Sequence, residues 1–232
     1  MTNLSIVIPA YNEAERLPRS LRSILDFFEQ RGELPEIIVV DDGSSDNTYE
    51  IAKNYHHGVK AIALGKNSGK GAAVRTGMLA ATGDYILFCD ADLSTPIYEI
   101  DKLFNQLQNG NDIAIGSRAI DKNLIKLHQP AYREIMGKTF NKFVQFITIK
   151  GISDTQCGFK CFTRPVAQKL FSMSVIDGFS FDVEILFLAK KLKYQIAEVP
   201  VEWFNDEKTK VRPLLDPIKM LIELFKIRKI HK

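Results

Sequence analysis

The chain of 232 residues is 45% hydrophobic and 25% charged, enough apolar material for the core of one large domain. Its three cysteines, Cys89, Cys157 and Cys161, exclude a disulfide framework, and Cys157-x-x-x-Cys161 lacks a nearby His or second Cys pair to complete a zinc site, so reduced thiols in a cytoplasmic protein are expected. The net charge of +3 hides an asymmetry, since residues 118–150 hold seven Lys/Arg against Asp121 and Glu134 and residues 213–232 hold five against Asp216 and Glu223, which points to a surface with an anionic partner.

In chain order, a buried strand is expected over residues 4–8, with no targeting segment ahead of it, ending in Pro9-Ala-Tyr-Asn-Glu13. A helix over 13–31 stops at Gly32, and a second strand over 36–40 ends in Asp41-Asp42-Gly-Ser44-Ser45-Asp46, whose serines are expected to cap a helix to Tyr55. A third strand over 59–64 leads through Gly69-Lys70-Gly71 into a small-residue helix over 72–81. The strand over 85–89 stops at two carboxylates, Asp90 and Asp92, with Thr95 and Pro96 expected as N-cap and first residue of a helix to Gln108. A strand over 112–116 closes with Ser117-Arg118.

After a polar loop to Pro130, helices are expected over 132–149, 165–171 and 181–192, with strands over 158–162 and 195–203. A basic amphipathic helix over 214–230 finishes the series, and no apolar run approaches the roughly 20 residues needed to cross a bilayer. Strands alternating with helices at this spacing imply right-handed βαβ units, an α/β domain whose mainly parallel sheet is flanked by helices. In such sheets ligands bind at the carboxyl ends of the strands.

The strand ends therefore carry the functional argument. A dinucleotide-binding strand would be followed by G-x-G-x-x-G, but the first loop reads PAYNE, and the Gly65/Gly69 spacing with Gly71 after Lys70 breaks the phosphate-loop pattern. Asp90 and Asp92 are spaced i, i+2 on extended backbone and point the same way, forming a hard-oxygen site for Mg²⁺ or Mn²⁺.

IPAYNE at 8–13, VVDDGSSDNT at 39–48, NSGKGAAVRTG at 67–77 and DADLSTP at 90–96, continued by GSR at 116–118, DTQCGFK at 154–160, FSFDVEILFLAKK at 179–191 and VPVEW at 199–203, resemble the inverting family-two glycosyltransferases of the GT-A fold. The resemblance spans roughly residues 3–212 and is strongest to the polyprenyl-phosphate sugar synthases of the dolichyl-phosphate β-glucosyltransferase branch. It implies a donor half over 1–118, an acceptor half over 119–212 and an appended C-terminal helix over 213–232.

The resemblance also implies a nucleotide-sugar donor, with Pro9, Tyr11 and Glu13 lining the nucleotide and Asp41 or Asp42 at the base and ribose. Lys70, Asp90 and Ala91 join the donor-binding set, with Asp92 the main metal ligand and Asp90 a metal or donor contact. Tyr11 reads equally as a core aromatic and Glu13 as a helix N-terminal acid. Mannosyl-transferring relatives tend to carry Gln where this chain has Ser94, so UDP-glucose is favoured over GDP-mannose or UDP-N-acetylglucosamine.

The acceptor implied is a polyprenyl phosphate held by Arg118, Arg133 or Lys210. Asp154, Asp182 and Glu184 would serve as bases if the acceptor were instead a glycan hydroxyl. Gln156 and Gly158 match the family motif without an assignable role. Peripheral contact with an anionic membrane at its cytoplasmic face is expected from the two basic amphipathic helices, and no nucleic-acid partner is expected. A nucleotide-sugar-binding scaffold without catalysis is the reading from a different class; it leaves the Asp90/Asp92 pair without a purpose.

Overall fold

The computed structural model describes residues 3–206 and 215–232. Strands β1 (Leu4–Ala10), β2 (Glu36–Asp41), β3 (Val59–Ala63), β4 (Tyr85–Cys89), β5 (Ile113–Ser117), β7 (Phe159–Thr163) and β8 (Ile196–Pro200) form one sheet in the order β3-β2-β1-β4-β7-β5-β8. A small parallel pair joins β6 (Ile125–Leu127) to β9 (Trp203–Phe204). All ladders of the large sheet are parallel except those of β7, which runs antiparallel between β4 and β5. This is the mainly parallel sheet flanked by helices that the sequence pattern implies.

Period-two alternation sends Ile6, Ile8, Ile37, Val39 and Leu87 to one face and Val7, Ile38, Val40, Ile86 and Phe88 to the other. Helices α1 (Leu17–Glu29) and α4 (Ile100–Gln108) cover the first face. The second is covered by α3 (Lys70–Ala80), α6 (Arg164–Met173) and α7 (Phe181–Lys191), with α5 (Ala131–Ile147) and α8 (Leu215–Ile230) beside them. Helix α2 (Thr48–Tyr55) flanks the β3 edge. Helix α3 approaches the sheet closely because Gly77 faces it; a Cβ there would lie 2.3 Å from Val7 Cγ1.

Several helix starts differ from expectation for identifiable reasons. Helix α1 begins at Leu17 rather than residue 13, because Pro18 has no N–H to donate and is accommodated only in a first turn. Ser44 and Ser45 do not cap α2. The Ser44 hydroxyl accepts from Asn12 N at 2.8 Å, and Ser45 N donates to Asn12 Oδ1 at 2.8 Å, stitching the β1 and β2 loops together.

Thr95 does not cap the helix after β4 either: it is buried, with its hydroxyl 3.9 Å from Cys157 Sγ. Pro96 is extended and precedes a 3₁₀ turn, Ile97–Glu99. The polar loop before Pro130 contains β6, and the single strand expected over 195–203 is split into β8 and β9.

Helix α8 turns Met220, Leu224 and Ile227 to the core and leaves Ile218, Ile222 and Phe225 about 60% exposed. Helix α5 buries Val144 and Ile147 but exposes Phe143 and Phe146. Among the described residues no helix is long and apolar enough to cross a membrane.

Candidate active site

A cleft of about 1460 Å³ opens at the carboxyl ends of β1, β2 and β4, where the strand order changes direction between β1 and β4. Pro9, Tyr11, Glu13, Asp42, Lys70, Asp90, Ala91, Asp92, Ser94, Arg118 and Arg133 all line it. Asp41 is buried behind this wall and its Oδ1 has no hydrogen-bond partner, whereas Asp42 reaches the cleft. Lys210 lies outside the described residues.

The carboxylate end of the cleft is built from three loops locked together. Glu13 N donates to Thr48 Oγ1 at 2.8 Å and Ala14 N to Asp46 Oδ2 at 3.2 Å, adding to the Asn12–Ser44/Ser45 contacts. The Asp42 carboxylate accepts from Ser68 N at 2.6 Å and Gly69 N at 2.9 Å, which fixes the loop that carries Lys70. Burial, reinforced by Asp41, nevertheless pushes the Asp42 carboxyl above its usual range.

Lys70 Nζ sits 2.6 Å from Asp90 Oδ1. Against the pull of burial, Asp90 and Asp182 hold its ammonium above the ordinary lysine value. Asp92 accepts from Ser94 N at 2.9 Å, and burial together with the neighbouring Asp90 pushes its carboxyl up. A carboxylate in that state gains from a cation at the cleft side.

Among the described residues no cluster of three or more His, Cys, Asp or Glu converges. Two carboxylates at the open end of a strand fit Mg²⁺ or Mn²⁺, which draw most of their shell from water and phosphate oxygens.

Gly158, a motif residue without a role at the level of sequence, forms the floor beneath Asp90. Its carbonyl accepts from Asp90 N at 3.0 Å, and a Cβ at this position would lie 2.0 Å from Asp90 Oδ2. Arg16, which sequence reasoning did not single out, projects into the cleft from the turn before α1. It grips Glu13 through Nε at 2.6 Å and Nη2 at 2.5 Å.

Arg118 makes a two-pronged pair with Asp154, Nε to Oδ2 at 2.7 Å and Nη2 to Oδ1 at 2.9 Å, and its guanidinium lies 5.5 Å from the Trp203 ring centroid. Although burial opposes ionisation, this guanidinium holds the Asp154 carboxyl at about 2. Asp154 is thereby a poor proton acceptor at neutral pH.

The sign of the linkage follows. A carboxyl with a depressed folded pKa contributes stability above its unfolded value near 3.9, and that contribution is lost as pH falls from about 4 through about 2. Arg118→Ala is expected to cost about 3 kcal/mol in urea unfolding at pH 7, because it strands a buried carboxylate. The loss should shrink as pH falls from about 4 towards about 2, where the stranded carboxylate of the variant is already protonated and the wild-type contribution is itself lost.

The other two base candidates separate. Asp182 lies in the cleft wall with its Oδ1 taken by buried Lys160 at 2.6 Å, and burial pushes its carboxyl up. Glu184 is fully buried away from the cleft; it accepts from Val175 N and Ile176 N and pairs with His231 Nε2 at 2.7 Å. Its role is to fasten α8 to α7.

Beyond Arg133 the cleft is lined by α5 and α8, which bring Met136, Phe140, Phe143, Ile218 and Leu221 to it together with Glu134, Lys138 and Lys219. A side pocket of about 470 Å³ lies beside Arg133, lined also by His128, Gln129 and Asn205. Arg133 bonds only Tyr132 Oη, at 3.1 Å, and has no carboxylate partner among the described residues.

Residues 5–171 match the family described as Glycosyl transferase family 2. A dolichyl-phosphate beta-glucosyltransferase of Drosophila melanogaster is 41% identical over 240 residues, covering 97% of this chain and 74% of the relative. Its Homo sapiens counterpart is 40% identical over 242 residues with the same coverage.

Among solved structures, glucosyl-3-phosphoglycerate synthase from Mycobacterium tuberculosis, in complex with Mn²⁺, UDP and phosphoglyceric acid, superposes with a TM-score of 0.67 at 20% identity, covering 98% of this chain and 77% of the other. Mannosyl-3-phosphoglycerate synthase from Rubrobacter xylanophilus gives 0.72 at 18% identity, covering 99% and 74%. These likenesses identify the GT-A fold.

Proposed function

The chain belongs to glycosyl transferase family 2, and from that premise we propose that it moves glucose from UDP-glucose to a polyprenyl phosphate such as dolichyl phosphate, inverting the anomeric carbon. One observation carries the reading above all. A single cleft runs from paired carboxylates, suited to a diphosphate and its cation, to a trough between α5 and α8 whose apolar side chains suit a lipid tail. The names of the relatives agree with that pairing of ends.

On this reading Pro9, Tyr11 and Glu13 frame the nucleotide. Of the two acidic candidates for its base and ribose, Asp42 is the one that reaches the cleft, while Asp41 is buried behind it. Asp90 and Asp92 would hold Mg²⁺ or Mn²⁺, which when bound neutralises the donor diphosphate and improves it as a leaving group. Ser94 lines the cleft where mannosyl-transferring relatives tend to carry Gln, which supports the glucosyl donor.

The acceptor phosphate is ionised at neutral pH and needs no strong base, so the protein's task is positioning and charge stabilisation. This agrees with Asp154 and Asp182 being tied to Arg118 and Lys160. Arg133, whose guanidinium has no acidic partner among the described residues, receives the acceptor phosphate. Arg118 contributes its Nη1 beside it, and Lys210 is assigned to the same anion.

The exposed Phe143, Phe146, Ile222 and Phe225, flanked by Lys142 and Lys226, rest the trough on an anionic membrane surface.

The test incubates the protein with Mg²⁺, a short polyprenyl phosphate and a panel of UDP- and GDP-sugars, followed by mass spectrometry for a phospholipid one hexose heavier. Product from UDP-glucose alone is expected. Product from GDP-mannose would overturn the donor, and UDP release with glycan acceptors alone would overturn the acceptor. Flotation with anionic liposomes checks the membrane contact; a protein that stays at the bottom of the gradient contradicts it.

A further inference from the structure

Helix α3 carries Lys70 at its start and has no side-chain cap: Gly69 precedes it, and the amides of its first turn find no carbonyl within the helix. Two of them, Gly71 N and Ala72 N, donate instead to one carbonyl of a distant segment, Asp177 O, at 2.7 and 3.3 Å. The fit is close on both sides of Lys70. A Cβ on Gly69 would lie 2.3 Å from Asp177 O, and one on Gly71 would lie 2.4 Å from Ile176 O. Residues 175–177 are thus seated on the two glycines that bracket Lys70, and Arg75 of the same helix ties the segment down through the Asp177 carboxylate.

Glu184 holds that segment from behind. Its carboxylate is fully buried. Oε1 and Oε2 both accept from Val175 N at 3.0 Å, Oε2 also accepts from Ile176 N at 2.9 Å, and Oε1 lies 2.7 Å from His231 Nε2 of α8. A carboxylate removed from water at that depth is costly unless it is bonded. Its backbone bonds go to the two amides that lead directly into the carbonyl capping α3.

We propose that Glu184 is a positioning residue for donor binding: by fixing residues 175–177 it fixes the first turn of α3, and so the Lys70 ammonium opposite Asp90. Asp42 holds the chain just before Lys70 through Ser68 N and Gly69 N. Lys70 is therefore clamped from β2 on one side and from α7 on the other. Through His231 the same carboxylate joins the clamp to α8, whose Ile218 and Leu221 line the other end of the cleft. The inference rests on the assignment of Lys70 to the donor.

The experiment titrates UDP, with Mg²⁺ present throughout, into the wild type, Glu184→Ala, Lys70→Met and the double variant, reading affinity by calorimetry and stability by urea unfolding. Glu184→Ala is expected to weaken UDP binding about tenfold in the wild-type background and less than about twofold beside Lys70→Met, while the stability loss is the same in both. Glu184→Gln, whose amide oxygen still accepts from Val175 N and Ile176 N, should stay within about threefold of the wild type. An equal loss of affinity in both backgrounds overturns the proposal, because a general loosening of the fold does not act through Lys70.

Should Glu184→Ala fail to fold, Glu184→Asp replaces it, since the shorter side chain keeps the charge but draws it away from the two amides; the same dependence on Lys70 is expected and its absence is equally decisive. Lys70→Met separates the two levels. If it binds UDP as tightly as the wild type, the assignment of Lys70 to the donor fails and the proposal falls with it. If it weakens UDP binding but the cycle shows no coupling, only the role of Glu184 fails.

Discussion

Asp92→Ala is expected to lower kcat/KM by at least about 10³-fold, equivalent to about 4 kcal/mol of transition-state stabilisation. Unfolding free energy should stay within about 1 kcal/mol of the wild type. The two readouts part because of where Asp92 sits. Its side chain is 23% exposed at the cleft, it bonds Ser94 N in the local turn and lies 4.0 Å from Arg16 Nη1, and burial beside Asp90 already disfavours its charged form. Removing it therefore relieves the fold of a poorly placed charge while taking the carboxylate proposed as the cation's principal ligand. Asp92→Asn, which keeps the bond to Ser94 N, should be nearly as inactive. Turnover within tenfold of the wild type in either variant would show that the carboxylate is not a metal ligand.

Gly158→Ala is expected to cost about 10²-fold in kcat/KM, together with about 1–3 kcal/mol of stability. The backbone at this position does not have a positive φ, so strain is not the cause. The effect is steric: the new methyl would lie 2.0 Å from Asp90 Oδ2 and 2.3 Å from its Cγ. Asp90 must then swing out of its place opposite Lys70, and the donor end loses both its carboxylate geometry and the 2.6 Å ion pair. Steady-state kinetics and thermal unfolding check the two parts, and a fully active alanine variant would mean that Asp90 tolerates displacement.

Much of the donor end was legible because its signals are local. A buried strand, its terminal loop and the following helix lie within a few residues of one another, and period-two and helical patterns place Pro9, Asp42, Lys70, Asp90 and Asp92 on the same side of the sheet before any coordinates are known.

What escaped was set by distant partners. Ser44, Ser45 and Thr95 have the chemistry of helix caps, but Asn12 and Cys157 occupy their hydroxyls or amides from 33 and 62 residues away. Strand β6 is only three residues long and exists because β9 pairs with it. Asp182 and Glu184 look alike in sequence, yet two residues on a helix are about 200° apart, so one faces the cleft and the other the core. Gly158 acquires its role only when Asp90 is laid over it.

The antiparallel strand β7 has a consequence for how the molecule is assembled. Strands β4 and β5 are separated by 23 residues in sequence but never touch as neighbours; the slot between them is filled by Phe159–Thr163, synthesised more than 40 residues after β5 ends. Until that segment is made, both strands present open edges, the kind that seek pairing with other chains. The floor under Asp90 is missing for the same interval. A nascent chain that has emerged only to Arg118 therefore lacks both the strand that joins β5 to the sheet and the glycine that underlies Asp90.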